Sequence, residues 1–164
     1  MVKLDQLDVK ILSELQKNGR LTKVKLSEKV NLSPSACHER VARLQEKGVV
    51  SSYTATLDIS RILSVDTVFT EVTLKSHRQN DFRVFEDAIN KSPYVVECLA
   101  VGGGFDYILR FIVNNIAHYQ EVLEEFLTAG IGIDRYFSYV VTKEIKPYTG
   151  FPLSELLARN SAEV

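Results

Sequence analysis

The chain has 164 residues, 45% of them hydrophobic and 25% charged, an ordinary globular balance, and no apolar run approaches the ~18 residues of a membrane span. Residues 1–10 alternate charge with leucine where a signal peptide would be continuously apolar, so a cytoplasmic protein is expected. The net charge of −1 hides an asymmetry: residues 1–60 carry ten basic and seven acidic side chains and residues 61–164 carry ten and fourteen, so only the first part is suited to meet phosphate.

Residues 4–17 place Leu4, Leu7, Ile11, Leu12 and Leu15 on one helical stripe, and Asn18-Gly19 is expected to end that helix in a left-handed cap. Thr22 can cap a second helix over residues 23–30, with Leu26 and Val30 facing inward. Asn31-Leu32 makes a turn. Ser33-Pro34 then opens a third helix with an N-cap and a proline at the first helical position. Its inner face is Cys37, Val41 and Leu44, and Lys47-Gly48 stops it. A short helix, a tight turn and a second short helix opened by small residues form the helix-turn-helix layout, whose last helix enters the major groove of double-stranded DNA.

At 100° per residue, Ser35, Ala36, Glu39 and Arg43 lie opposite the inner face, and His38 and Arg40 flank them. Small side chains at Ser35 and Ala36 permit close approach to base edges, and Ser33 at the helix start is counted among the DNA-binding residues. Arg40 or Arg43 supplies a guanine or phosphate contact, and Lys23, Lys25 and Lys29 lie near the DNA backbone. Glu39 either accepts from cytosine or pairs with Arg43 at i,i+4; the intrahelical pair is the favoured reading. Cys37 and Cys98 have no partner at metal spacing and read as free thiols.

Residues 51–64 read as an extended connector. Residues 65–74 alternate as a strand, and Phe82, Phe85 and Ile89 mark a helix. Residues 95–101 form a strand, Gly102-Gly103-Gly104 a tight turn and residues 105–113 a third strand. Ile116, Tyr119, Val122, Leu123, Phe126 and Leu127 mark an amphipathic helix, and residues 133–142 a fourth strand. The order β-α-β-β-α-β is the ferredoxin-like arrangement. Helices cover one face of its sheet, and a symmetric dimer would cover the other. Residues 147–164, broken by Pro147 and Pro152, are expected to be an arm that packs on a neighbouring subunit or frays. The fold class is α+β: a winged-type, three-helix helix-turn-helix domain (residues 1–50), a connector (51–64), a ferredoxin-like domain (65–146) and the arm (147–164).

Several strings together resemble the Lrp/AsnC family of transcriptional regulators. They are Leu7-Asp8, Ile11-Leu12, Leu15-Gln16, Asn18-Gly19-Arg20, Leu32-Ser33-Pro34-Ser35, Cys37 with Glu39-Arg40-Val41, Arg43-Leu44 and Gly48. Tyr53 with Ala55 and Leu57, Gly103 with Phe105-Asp106-Tyr107, and Val140-Val141 complete the set. The resemblance implies a second domain that dimerises through its sheet and assembles into octamers or larger discs around which DNA wraps. It also implies an amino acid or related metabolite bound between dimers near Gly103, Gly104, Phe105, Asp106 and Tyr107. Gly132, Ile133, Ser138 and Thr142 are expected nearby. Gly104 departs from the family pattern, which carries a polar side chain there, and residues 128–136 depart from it as well. Glycine amides admit a carboxylate, and Asp106 can accept from an ammonium.

The implied protein is a nucleoid-associated regulator without a cofactor, its activity or assembly set by that effector. The alternative is an architectural DNA-wrapping protein without ligand control. No phosphate loop, nucleophile motif or metal-ligand spacing points to an enzyme, and His38, His77 and His118 are isolated in the sequence.

Overall fold

The computed structural model describes residues 2–160, which fall into two compact units. One unit runs to Thr56 and resumes at Lys146; the other is Leu57–Ile145.

The first unit is helical. Helix α1, Gln6–Lys17, opens on a reciprocal cap: the Asp5 carboxylate accepts from the Asp8 amide at 2.8 Å, and the Asp8 carboxylate accepts from the Asp5 amide at 3.2 Å. Its end differs from the expected left-handed cap. Asn18 is extended, with φ −154°, and its side chain accepts from the Arg20 amide at 2.9 Å, so an Asn side-chain turn replaces the backbone one. Helix α2, Lys23–Val30, is capped by Thr22 and ends on Asn31 at φ 56°. Helix α3, Pro34–Glu46, is capped by Ser33 and followed by Gly48 at φ +69°, where a side chain would be strained. Ile11, Leu12, Leu26, Val30, Cys37 and Leu44 form the core between the three.

Within one chain the arm packs on its own helical unit rather than fraying. Pro152 precedes a helix α6, Leu153–Asn160, and Leu153 packs against this same core. Gln16 on α1 holds the backbone of Phe151 from both sides. Three short helices leave apolar surface open, and the chain's own C-terminal segment covers part of it. Residues 161–164 of that arm lie outside the described residues. The connector makes no strand pairing among the described residues and contains one 3-10 turn, Ile59–Arg61.

The second unit is an antiparallel sheet of β1 (Asp66–Leu74), β2 (Val95–Ala100), β3 (Tyr107–Val113) and β4 (Ile133–Val140), in the order β2-β3-β1-β4. Helices α4 (Gln79–Ile89) and α5 (Ile116–Thr128) complete the ferredoxin-like βαββαβ order. Strict alternation in β1 and β3 sends Val68, Val72, Leu109 and Phe111 toward the helices, where they meet Phe85, Val122 and Leu123. Thr70 is fully buried among them, and its hydroxyl meets that of Tyr119, which also reaches Ser138. The opposite face carries Phe69, Ile108, Ile112, Phe137 and Tyr139, with Glu71 and Arg110 between them. Phe137 and Tyr139 are both more than half exposed.

Candidate DNA interface and effector turn

Helix α3 presents Ser35, His38 and Glu39 to solvent, while Ala36 is half-buried. Ser33 Oγ caps the helix at the Ala36 amide (3.3 Å) and lies 3.2 Å from Ser35 Oγ. Lys23, at the start of α2, places its Nζ 3.3 Å from His38 Nε2, which joins the beginnings of α2 and α3 into one polar surface. Lys25 is exposed, and Lys29 pairs with Glu14 on α1 at 3.0 Å.

The arginines of α3 are not held as expected. Arg43 does not pair with Glu39; its Nη2 donates to Asp8 Oδ2 at 2.6 Å. Arg40 Nη1 donates to Asp8 Oδ1 at 2.9 Å and to Asp5 Oδ2 at 2.7 Å. The Asp8 side chain is 1% exposed and Asp5 is 52% exposed. A desolvated carboxylate bound to two guanidiniums outcompetes an exposed i,i+4 partner, whose pairing energy in water is small. The Asp8 amide and then the Arg40 guanidinium hold the Asp5 carboxyl below the usual carboxylate range. Neither acid was singled out for this role from sequence. The Asp-x-x-Asp spacing signals a helix start, but nothing local says that the same carboxylates reach across to α3.

At one end of the sheet, residues 101–106 form the hairpin loop between β2 and β3, closed by the Val101 amide on the Asp106 carbonyl at 2.9 Å. Gly102, Gly103 and Gly104 are exposed, with Gly103 at φ +153°, and a Cβ on any of the three would meet nothing within 4 Å. Asp106 Oδ2 accepts from the Leu74 amide at 2.7 Å, and the two oxygens lie 2.9 and 3.1 Å from His77 Nε2. His77 is thus no isolated histidine. It and Arg135, whose Nη2 reaches the Gly104 carbonyl at 3.4 Å, are the neighbours that sequence reading missed.

The expected effector residues divide into groups. Gly103, Gly104, Phe105 and Asp106 belong to the loop. Gly132, at φ +91°, accepts from the Lys75 amide at the same sheet end. Tyr107 and Ile133 face the core, 3% and 7% exposed. The Tyr107 hydroxyl donates to Glu86 at 2.6 Å, and burial followed by that carboxylate pushes the phenol up. Ser138 sits mid-strand opposite Thr70. Thr142 lies past the far end of β4, nine residues from Ile133, which is on the order of 30 Å of extended chain. One chain therefore does not bring Thr142 to the glycine loop.

Residues 4–51 match the family model of a winged helix-turn-helix DNA-binding domain, and residues 67–151 match that of the Lrp/AsnC ligand binding domain. The chain belongs to the Lrp/AsnC family. It is 44% identical over 145 residues to the transcriptional regulatory protein DoeX of Halomonas elongata, covering 88% of this chain and 92% of that one. It is 40% identical over 143 residues to the leucine-responsive regulatory protein of Escherichia coli, covering 87% of each. Among solved structures it resembles a transcriptional regulator of Neisseria meningitidis in complex with L-methionine, at a TM-score of 0.88 and 35% identity over 94% of this chain and 99% of that one. An AsnC family regulator from Agrobacterium tumefaciens matches at a TM-score of 0.86 and 33% identity, over 93% and 99%. As a member of this family the chain is a DNA-binding transcriptional regulator with a ligand-binding domain, rather than an enzyme.

Proposed function

We propose that α3 reads the major groove through Ser33, Ser35, Ala36, His38, Glu39, Arg40 and Arg43, with Lys23 and Lys25 on the DNA backbone. The observation that carries this reading is the exposed polar surface that α3 shares with the start of α2, built on a capped, Pro-opened helix whose other face is core. The effector is an α-amino acid or a close relative. Its carboxylate meets the amides of Gly103 and Gly104 and its ammonium meets Asp106, whose oxygens retain acceptor capacity beyond Leu74 and the exposed His77. The likeness to a relative holding L-methionine supports that class of ligand.

Two chains pair through the sheet face bearing Phe69, Ile108, Phe137 and Tyr139, and higher even-numbered assembly brings the glycine loops of neighbouring dimers together. The protein acts in the cytoplasm, on nucleoid DNA. The test is calorimetric titration of wild type and Asp106→Asn with the L-amino acids, beside light scattering of both. A roughly tenfold or greater loss of affinity in the variant is expected, from a charge-assisted hydrogen bond worth about 1.5–3 kcal/mol. Equal affinities would leave Asp106 a loop cap, and a monomer at micromolar concentration would remove the assembly.

A further inference from the structure

The recognition helix meets DNA with its two arginines already bound. Asp8 places one carboxylate oxygen on Arg40 and the other on Arg43, at 2.9 and 2.6 Å, and Asp5 adds a second acceptor for Arg40. Each guanidinium carries five N–H donors in a rigid fork. The contacts to Asp5 and Asp8 use Nη1 of Arg40 and Nη2 of Arg43, and the Arg43 side chain remains 43% exposed. The anchor is itself fixed, because Asp8 is buried, belongs to α1 and closes the reciprocal cap with Asp5.

We propose that Asp8, with Asp5 beside it, is a positioning group for DNA recognition. It anchors the inner edges of the Arg40 and Arg43 forks so that their outer donors meet DNA in one fixed register, and it offsets charge that would otherwise seek any phosphate. The two acids contact no DNA; they act through the arginines. Long, flexible side chains normally lose rotamer freedom on binding, and here that loss is taken at folding. Neutralising two cations at the DNA face weakens sequence-independent attraction while orientation is kept, so the net effect falls on discrimination. The inference rests on the reading that α3 enters the groove.

The experiment compares affinity for a duplex selected from a random pool by the wild-type protein with affinity for unselected duplex of the same length. Wild type, Asp8→Asn, Arg40→Ala, Arg43→Ala and the Asp8→Asn/Arg43→Ala double variant are measured across a salt series, on full-length protein below each melting temperature. Loss of stability alone lowers the competent fraction equally for both duplexes and cancels in their ratio. For Asp8→Asn the ratio is expected to fall at least about fivefold, the lower end of a good base contact. Binding to unselected duplex should hold or tighten, with a steeper salt dependence. In the Arg43→Ala background the fall should shrink. An unchanged ratio, or an equal fall in both backgrounds, overturns the proposal. If Arg40→Ala and Arg43→Ala bind both duplexes as wild type does, the placement of α3 is itself wrong; if either loses affinity while Asp8→Asn keeps its ratio, only the positioning role fails. Should Asp8→Asn not fold, Asp5→Asn preserves an equally good N-cap. It is expected to give a smaller fall in the same ratio through Arg40, and no fall at all overturns the proposal.

Discussion

Gln16 and Phe151, 135 positions apart, hydrogen-bond each other twice: Gln16 Nε2 donates to the Phe151 carbonyl at 3.1 Å, and the Phe151 amide donates to Gln16 Oε1 at 2.7 Å. A side-chain amide thereby treats a piece of loop as a strand partner. Gly150, next to it, sits at φ +112°, and a Cβ there would fall 2.7 Å from the Gln16 side chain.

Gly150→Ala should therefore loosen the arm on two counts, backbone strain and collision, and cost more than about 1 kcal/mol. Hydrogen exchange is the measurement. Amides of α1 should lose protection while those of β1 and β3 keep it, and unchanged α1 protection would show that the arm contributes nothing to the helical unit.

Tyr119→Phe removes the hydroxyl that Thr70 meets inside the sheet core. Thr70 is fully buried, so its hydroxyl loses a partner with no water to replace it, at about 1–3 kcal/mol. Urea denaturation should show a lower midpoint with an unchanged slope. A changed slope would mean that the variant alters compactness instead.

The Tyr107 phenol is raised from its ordinary value of 10.0 by burial and by Glu86. A folded-state value above the unfolded one gives stability that is complete below pH ~10 and is lost as pH rises toward the folded value. The sheet unit should weaken above about pH 10, and Tyr107→Phe should flatten that loss. Absorbance titration of the wild type should show a late ionisation, or one seen only on unfolding, that Tyr107→Phe lacks. The same late step seen in both proteins, or in neither, would contradict the burial of Tyr107 as its cause.

Lys25 is exposed at the start of α2, and Lys25→Gln should weaken binding to all DNA sequences about equally and reduce the slope of log K against log[salt] by about 1. Lys29→Gln should change the slope less, because Lys29 already pairs with Glu14. Equal effects of the two would mean that DNA displaces the Glu14 contact.

The architecture was legible because its signals are periodic. Val68, Thr70 and Val72 alternate, Val122, Leu123 and Phe126 recur at helix spacing, and Thr22 and Ser33 announce their helices. The candidate sites were only half legible. Spacing favours Glu39 as the partner of Arg43 because a sequence displays neighbours four apart, whereas the partner found, Asp8, is 35 positions away on another helix. His77 meets Asp106 only because β1 and β3 pair with Val72 opposite Tyr107. Within one chain β4 runs its full length between Thr142 and the glycine loop, so a site holding both needs more than one chain. The prolines and Ser154 point to an arm with a short helical turn that packs on a neighbour or frays; within one chain it is held by Leu153 and the Gln16 amide, and neither has a periodicity to betray it.

The helical unit is assembled from both ends of the chain, with residues 57–145 between its two parts. During synthesis, then, the helices of residues 6–46 emerge well before the segment that covers them. With about 90 residues still to be added at roughly 5–20 per second, the interval is on the order of 5–20 s. A ribosome stalled before Lys146 would display a nascent helix-turn-helix with an uncovered apolar flank, open to chaperones and to the arms of chains finishing beside it.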